Sequence, residues 1–346
     1  MGFFDKLLGG GGGSSGTTGK LPKETPFARE YEHVQDMLAG AMSTISKVRH
    51  FTSKRLHVIK KVNPQTPDAK KKLQRELEVS FQMQHENVIR YVAWERRGNE
   101  TWILMEYVDG PSLRGFLRDQ LVVRQAKPPL LSGRDFITVY CQCARALQYV
   151  HGKGYLHLDV KPENFLVTGL KSVGETKVDR SKETQIFKRE VLEQAGGISV
   201  KLIDFGISMR IDEPKVGVGG SLLYVAPEVV GGVQTQSQVG PASDLWSLGA
   251  TMFEVATGRP PYLPVWFDGK PQHWQTLWAE YEKQDASVKK AYDGDMLKKR
   301  ISTPADVSKA PYSDAIRNIL KKCLELPMTR RFTSSAALVS ELEKFL

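Results

Sequence analysis

The chain has 346 residues, of which 40% are hydrophobic and 25% charged, the balance of a globular protein long enough for one large core or two lobes. No apolar run approaches the length that crosses a bilayer, so no transmembrane helix is predicted. Lysine and arginine outnumber aspartate and glutamate by 49 to 39, for a net charge of +10. They lie in scattered short groups such as Lys70–Lys72 and Lys298–Arg300 without interleaved aromatics, so no nucleic-acid partner is predicted.

In chain order, residues 1–26 read as a flexible tail. Met1–Leu8 is amphipathic but too short for a stable membrane anchor, and Lys6 stands where a myristoylation signal carries Ser or Thr. Gly9–Gly19 is a Gly/Ser/Thr linker. From Tyr31 to Val62 the pattern is strands and turns. Thr66-Pro67-Asp68 then supplies a capping hydroxyl, a proline at the first helical position and an early negative charge. The helix that follows carries Leu73, Leu77 and Phe81 on one predicted buried stripe, with Glu76 beside it. Strands resume over Val88–Trp94 and Thr101–Tyr107.

Beyond Asp109 the pattern turns helical. Ser132 and Asp135 open a helix whose buried face is Phe136, Val139, Cys143, Leu147 and Val150, and Gly152 closes it. Further helices are predicted over Leu245–Thr257 and in the closing run Tyr312–Leu346. Cys141, Cys143 and Cys323 have no disulfide or metal spacing. With no signal peptide evident, they fit a reducing cytoplasm.

Two segments carry the chemistry. His157-Leu158-Asp159-Val160-Lys161-Pro162-Glu163-Asn164 is followed on the next predicted strand by Asp204-Phe205-Gly206. Phosphoryl transfer needs a carboxylate for the nucleophile's proton, a cation by the moving phosphate and hard oxygen ligands for magnesium. Asp159, Lys161, Asn164 and Asp204 supply those types in that order. The pair of segments resembles the catalytic and metal-binding loops of eukaryotic-type (Hanks-type) Ser/Thr protein kinases, and other motifs extend the resemblance from about residue 31 to the C-terminus.

The resemblance implies an α+β, bilobal fold. It has a small antiparallel-sheet lobe with one helix, about 27–107, and a larger mainly helical lobe, about 108–346. It also implies ATP and Mg2+ as cofactors and protein Ser/Thr hydroxyls as acceptors. Asp159 would be the catalytic carboxylate, Lys161 its cationic neighbour, and Asn164 and Asp204 the metal ligands. Lys60, in Val58-Ile59-Lys60, resembles the phosphate-binding strand lysine, with Glu76 its helix partner. Met105-Glu106-Tyr107-Val108 resembles the hinge that meets adenine, through Met105, Glu106 and Val108. Gly220-Ser221-Leu222-Leu223-Tyr224-Val225-Ala226-Pro227-Glu228 resembles the end of an activation segment. There Ser221 would bridge Asp159 and Lys161, and Glu228 would pair with Arg331. Asp244 would brace the catalytic loop, with His157, Phe205 and Gly206 as structural support.

The chain departs from the family pattern in four places. The glycine-rich loop is degenerate: Leu38–Ile45 offers Gly40 at the second glycine or, slipped by one, Ala39 and Ala41 at the first two positions. Weaker ATP binding follows from either register. Leu158 stands where many kinases carry an arginine that receives an activation-segment phosphate, and Ile211–Gly220 contains no Ser, Thr or Tyr. That combination predicts a kinase independent of phosphorylation there. Residues 169–197 are a charged insertion with Ser172, Thr176, Ser181 and Thr184 as candidate autophosphorylation sites. The region 263–308, with Trp266, Trp274 and Trp278, is elaborated. Its tryptophans read first as core and second as a docking surface, and the insertion is the other candidate for partner docking. The reading is an active Ser/Thr protein kinase; the alternative is a pseudokinase serving as a nucleotide-sensing or scaffold module.

Overall fold

The alternating pattern of the first third of the chain folds into an antiparallel sheet. The computed structural model describes residues 19–21, 25–39, 43–170, 197–213, 220–230, 239–270 and 272–346. Gly40, most of the predicted tail, the interior of the 169–197 insertion and residues 214–219 lie outside them. The sheet comprises β1 (Gly19–Lys20), β2 (Tyr31–Ala39), β3 (Ser43–His50), β4 (Leu56–Val62), β5 (Tyr91–Arg97) and β6 (Glu100–Glu106), in the order β1-β2-β3-β4-β6-β5. The tail boundary at residue 26 needs correcting. Gly19 and Lys20 pair with His33 and Glu32, and Leu21 is buried with Tyr31, Val48, Ile59 and Leu104, so the sheet begins inside the stretch read as tail.

Between β4 and β5 lies α1 (Pro67–Ser80), opened as its sequence dictates: Thr66 Oγ1 accepts from the Ala69 amide at 3.1 Å. Leu73 and Leu77 are buried against Ile45, Ile89 and Ile103 under the sheet. Phe81 does not continue the stripe; it is 38% exposed. The helix ends at Ser80, and Phe81 caps it with its amide on the Leu77 carbonyl and its ring edge-on to Tyr91. Val79 and Met83 turn instead into the core of the second lobe.

That lobe is helical: α2 (Leu113–Arg118), α3 (Gly133–Gly152), α4 (Pro227–Val230), α5 (Pro241–Thr257), α6 (Trp274–Glu282), α7 (Ala286–Ser302), α8 (Asp314–Cys323) and α9 (Ser335–Glu343). Ser132 caps α3 through the Asp135 amide at 3.1 Å, and the stripe from Phe136 to Val150 is buried. The closing run holds α8 and α9, separated by a 3-10 turn after Pro327. At Gly249 an added Cβ would lie 2.6 Å from Cys323 Cβ, so glycine lets α5 and α8 pack in contact. All three cysteines are free and buried. Among the described residues no helix is long and apolar enough to cross a membrane.

Two short two-stranded antiparallel sheets flank the catalytic segment. Strand β7 (Tyr155–Leu156) pairs with β10 (Met209–Arg210), and β8 (Phe165–Thr168) with β9 (Ser199–Leu202). The second pairing joins Thr168 directly to Ser199. Gly169, at φ 76°, approaches Gly197 so closely that a Cβ would lie 2.5 Å from its carbonyl oxygen. The two ends of the 169–197 stretch therefore meet. Trp274 is buried and Trp266 and Trp278 pack against the same cluster, with Phe267 and Tyr281 among its members.

Candidate active site

The strand pattern of β4 turns Lys60 under the sheet, where α1 brings Glu76 to meet it. The Lys60 Nζ and Glu76 Oε1 atoms are 2.6 Å apart, and the Tyr91 hydroxyl donates to the same oxygen at 2.8 Å. Burial alone disfavours the Lys60 ammonium, but Glu76 and Asp204 more than offset it and raise its pKa. Lys60 lines a cleft of about 630 Å3, including its open mouth, walled by Ile45, Val58, Ile89, Met105, Leu166 and Ile203. Glu106, Tyr107 and Val108 border it on the chain that crosses between lobes. An apolar slot with polar backbone at one edge and a cation at its end suits a flat heterocycle bearing an anionic chain.

Below the slot, Asp159, Lys161 and Ser221 form a closed triangle. Lys161 Nζ lies 2.7 Å from Asp159 Oδ2 and donates to Ser221 Oγ at 2.9 Å; Ser221 donates to Asp159 Oδ1 at 2.7 Å. Burial pushes the Asp159 carboxyl up, yet the Lys161 ammonium and the hydrogen bonds from Lys161 and Ser221 bring it below the usual carboxylate range. Asn164 Nδ2 donates to the Asp159 carbonyl at 2.8 Å and to Oδ2 at 3.2 Å, which ties the loop across a 3-10 turn, Pro162–Asn164.

Backbone geometry here is held from behind. Leu158 and Asp204 both have positive φ, 65° and 67°, a conformation that costs a non-glycine residue on the order of 1–3 kcal/mol. Asp244, in the first turn of α5, over-determines Leu158: its carboxylate accepts from the His157 amide at 2.8 Å and the Leu158 amide at 2.7 Å. His151 Nε2 bonds the same carboxylate at 2.7 Å. Asp204 accepts from the Gly206 amide at 3.1 Å, and the Phe205 ring packs edge-on to His157. Leu158 itself is buried with Leu156 and Val239.

Farther out, Arg331 makes a two-pronged pair with Glu228, at 2.8 and 2.9 Å, and Ser243 donates to Glu228 at 2.7 Å. The guanidinium lies over Trp246, and the pair is sealed.

The donor set suits magnesium. The protonated face of the Asn164 amide is spent on Asp159, and its carbonyl oxygen has no hydrogen-bond partner among the described residues. With the Asp204 carboxylate it offers hard oxygens, and Mg2+ bound by so few protein ligands completes its shell with water and phosphate.

The protein kinase domain profile matches residues 31–342. The chain belongs to the protein kinase family. Similar relatives include the Ser/Thr-protein kinase RUNKEL of Arabidopsis thaliana, 29% identical over 238 residues, which are 67% of this chain and 14% of that protein. The probable Ser/Thr-protein kinase fhkA of Dictyostelium discoideum is 27% identical over 262 residues, 68% of this chain and 39% of the relative. Mitogen-activated protein kinase kinase kinase 6 of Homo sapiens is 30% identical over 204 residues, 58% of this chain and 13% of the relative. The kinase chain thus spans well under half the length of these curated relatives.

The sequence reading missed a second charged cluster in this kinase. Arg114 of α2 meets Glu163 at 2.8 Å and also contacts both Glu254 oxygens and the Tyr224 hydroxyl, while Tyr224 donates to Glu254 at 2.6 Å. Tyr91, too, went unremarked. Glu163 and Tyr224 lie inside recognisable motifs, but nothing in local spacing joins Arg114 and Glu254 to them.

Proposed function

We propose that the chain is an active Ser/Thr protein kinase that uses Mg-ATP. The Asp159–Lys161–Ser221 triangle, set beneath an apolar slot that ends at the Lys60–Glu76 pair, carries the reading. In this assignment the slot takes the adenine against Met105, with Glu106 and Val108 offering backbone groups. Lys60, kept charged by Glu76, holds the α- and β-phosphates. Asn164 and Asp204 hold the magnesium ion, which neutralises charge on the phosphates when bound. Asp159 positions the acceptor hydroxyl. Its lowered pKa makes it a weak base, suited to taking the proton late, when the hydroxyl oxygen has already begun to bond phosphorus. Lys161 screens the transferring group, and Ser221 links the pair to the activation segment.

Two further readings belong to the same proposal. Leu158 is packed with Leu156 and Val239, leaving no cation at that position to receive a phosphate, and 211–220 holds no hydroxyl to carry one. The kinase is therefore active without phosphorylation of that stretch, and phosphatase treatment leaves its activity unchanged; loss of activity would reject this. The acceptors are Ser and Thr of other proteins, with the insertion and the 263–308 region available for docking. A pseudokinase, which the degenerate glycine loop and Leu158 would favour, has no physical need for Lys60, Glu76, Asp159, Asn164 and Asp204 together.

The test is transfer of labelled γ-phosphate to a generic basic protein, with Asp159→Asn as control. Transfer by the wild type and a fall of about 10²–10⁴-fold in the variant support the assignment. Equal activity in both, or ATP binding without transfer by the wild type, would reject it.

A further inference from the structure

Arg300, in the last turn of α7, is fully buried and makes no ion pair among the described residues. Its Nη1 donates to the Val225 carbonyl at 2.9 Å. Nη2 makes only a long contact to Met296 Sδ, 4.0 Å, and Nε has no partner among the described residues. Arg331, buried as deeply, is balanced by Glu228. Burial pushes the Arg300 pKa down to about 10, with only Tyr262 acting the other way, so the guanidinium is still charged at pH 7. A buried cation without a counter-ion costs the fold stability, and an apolar side chain of similar volume would be tolerated there at least as well. A residue that stability disfavours calls for another role.

The position of Val225 supplies one. Tyr224 and Val225 both donate their amides to the Ser221 carbonyl, at 2.8 and 3.0 Å, so Ser221–Val225 is a single tight turn. Ser221 at its head closes the triangle with Asp159 and Lys161, and Arg300 bonds its tail. Stacked rings join the two arginines. Arg331 lies over Trp246 at 4.8 Å, Trp246 stacks on Tyr262 with centroids 6.4 Å apart, and Arg300 lies 5.6 Å from the Tyr262 centroid. The segment is thus held at two points three residues apart, by Arg331 at the Glu228 side chain and by Arg300 at the Val225 backbone. A grip on a side chain leaves the peptide planes before it free to rotate. A bond to the Val225 carbonyl fixes the plane itself, and with it the turn that ends there.

We infer that Arg300 is a positioning residue for phosphate transfer: by holding the Val225 carbonyl it fixes the turn that aims Ser221 at Asp159 and Lys161. The inference rests on the proposed kinase activity. It gives the elaborated 263–308 region a task, since α7 reaches towards the catalytic triangle through this bond.

Two arms test it. In the first, transfer by the wild type, Arg300→Met and Arg300→Lys is measured beside the denaturation midpoint. Arg300→Met keeps most of the volume and drops the donor. Its kcat falls at least about 10-fold, the worth of one hydrogen bond from a charged donor, and its midpoint is no lower than that of the wild type. KM for ATP stays unchanged, because no residue of this turn lines the slot. Arg300→Lys restores a donor, and a single bond to a carbonyl needs no planar fork, so it recovers most of the loss. An unchanged kcat in Arg300→Met, or a lysine variant no better than the methionine one, overturns the inference. So does a midpoint that falls in step with activity, the mark of a purely structural residue.

The second arm needs no transfer. Amide hydrogen exchange at Tyr224 and Val225 quickens at least about 10-fold in Arg300→Met, whereas exchange at His157 and Leu158, whose amides bond Asp244, stays the same. Equal exchange in variant and wild type overturns the inference even if the kinase is active. Quickened exchange in a chain whose wild type transfers nothing rejects the activity and keeps the anchor. If Arg300→Met does not fold, Arg300→Gln, neutral and too short to reach Val225, carries both arms by the same criteria.

Discussion

Two buried ion pairs made from the same chemistry do different things in this kinase. Lys60–Glu76 and Arg331–Glu228 are both nearly inaccessible and both short, at 2.6 and 2.8 Å. The first borders a cleft open to solvent, where Glu76 pairs with the lysine and Asp204 acts on it from nearby. The second is saturated: Arg331 also donates to the carbonyls of Glu325, Ala242 and Leu326, and Glu228 accepts from Ser243. A pair on the wall of an open cleft lies within reach of a ligand, whereas a sealed and saturated pair fastens one part of the chain to another. The difference lies in the surroundings rather than in the pair.

Substitutions can break that comparison at either end. The largest effect is expected for Lys60→Met, which should lower kcat/KM for phosphate transfer by about 10²–10³-fold, in the range of removing one preorganised electrostatic contact. Its cost in denaturant stability should stay near 1 kcal/mol, because water from the cleft can reach Glu76. Glu228→Gln should do the reverse, removing about 3–5 kcal/mol by leaving Arg331 charged and sealed without its partner. A chemical-denaturation midpoint measured beside the transfer rate separates the two, and equal stability losses would end the distinction.

Acid sharpens the comparison by a smaller amount. Burial lifts the Asp244 carboxyl, but His151 and the His157 amide outweigh it, so the folded pKa lies below the unfolded value of about 3.9. The stability it contributes is complete above that value and drains away as pH falls through the folded pKa. Melting temperatures between pH 6 and 2.5 should therefore fall mainly below about pH 4, and less steeply in Asp244→Asn. An equal slope in both would remove Asp244 from the acid response. The smallest effect is expected for Phe81→Ala, within about 0.5 kcal/mol in either direction, because the ring is half in solvent.

The motifs made much of this legible, since Asp159, Lys161, Asn164 and Asp204 are read from short local spacings that fold into one place. The Thr66 cap and the Ser132 cap were legible for the same reason: each is satisfied within three residues. Phe81 misled because periodicity continues past the point where a helix stops, and its spacing says nothing of the cap. Arg114 was invisible on other grounds. Its partners lie 49, 110 and 140 positions away, and only the packing of α2 against α5 and the catalytic loop joins them. The start of the sheet at Gly19 was hidden in a glycine linker, whose composition argues against pairing.

The meeting of Gly169 with Gly197 has a consequence for how this kinase can change. Because Thr168 and Ser199 already pair, the chain between them leaves and re-enters the fold at one point, like a loop tied at its neck. Closing such a loop depends only on the logarithm of its length, so doubling or halving it shifts stability by about 0.6 kcal/mol. Material can be added, shortened or exchanged at that neck with little thermodynamic penalty to the strands on either side, one of which leads into Asp204 and the other out of Asn164. The fold holds there a socket for variation, opening directly between Asn164 and Asp204.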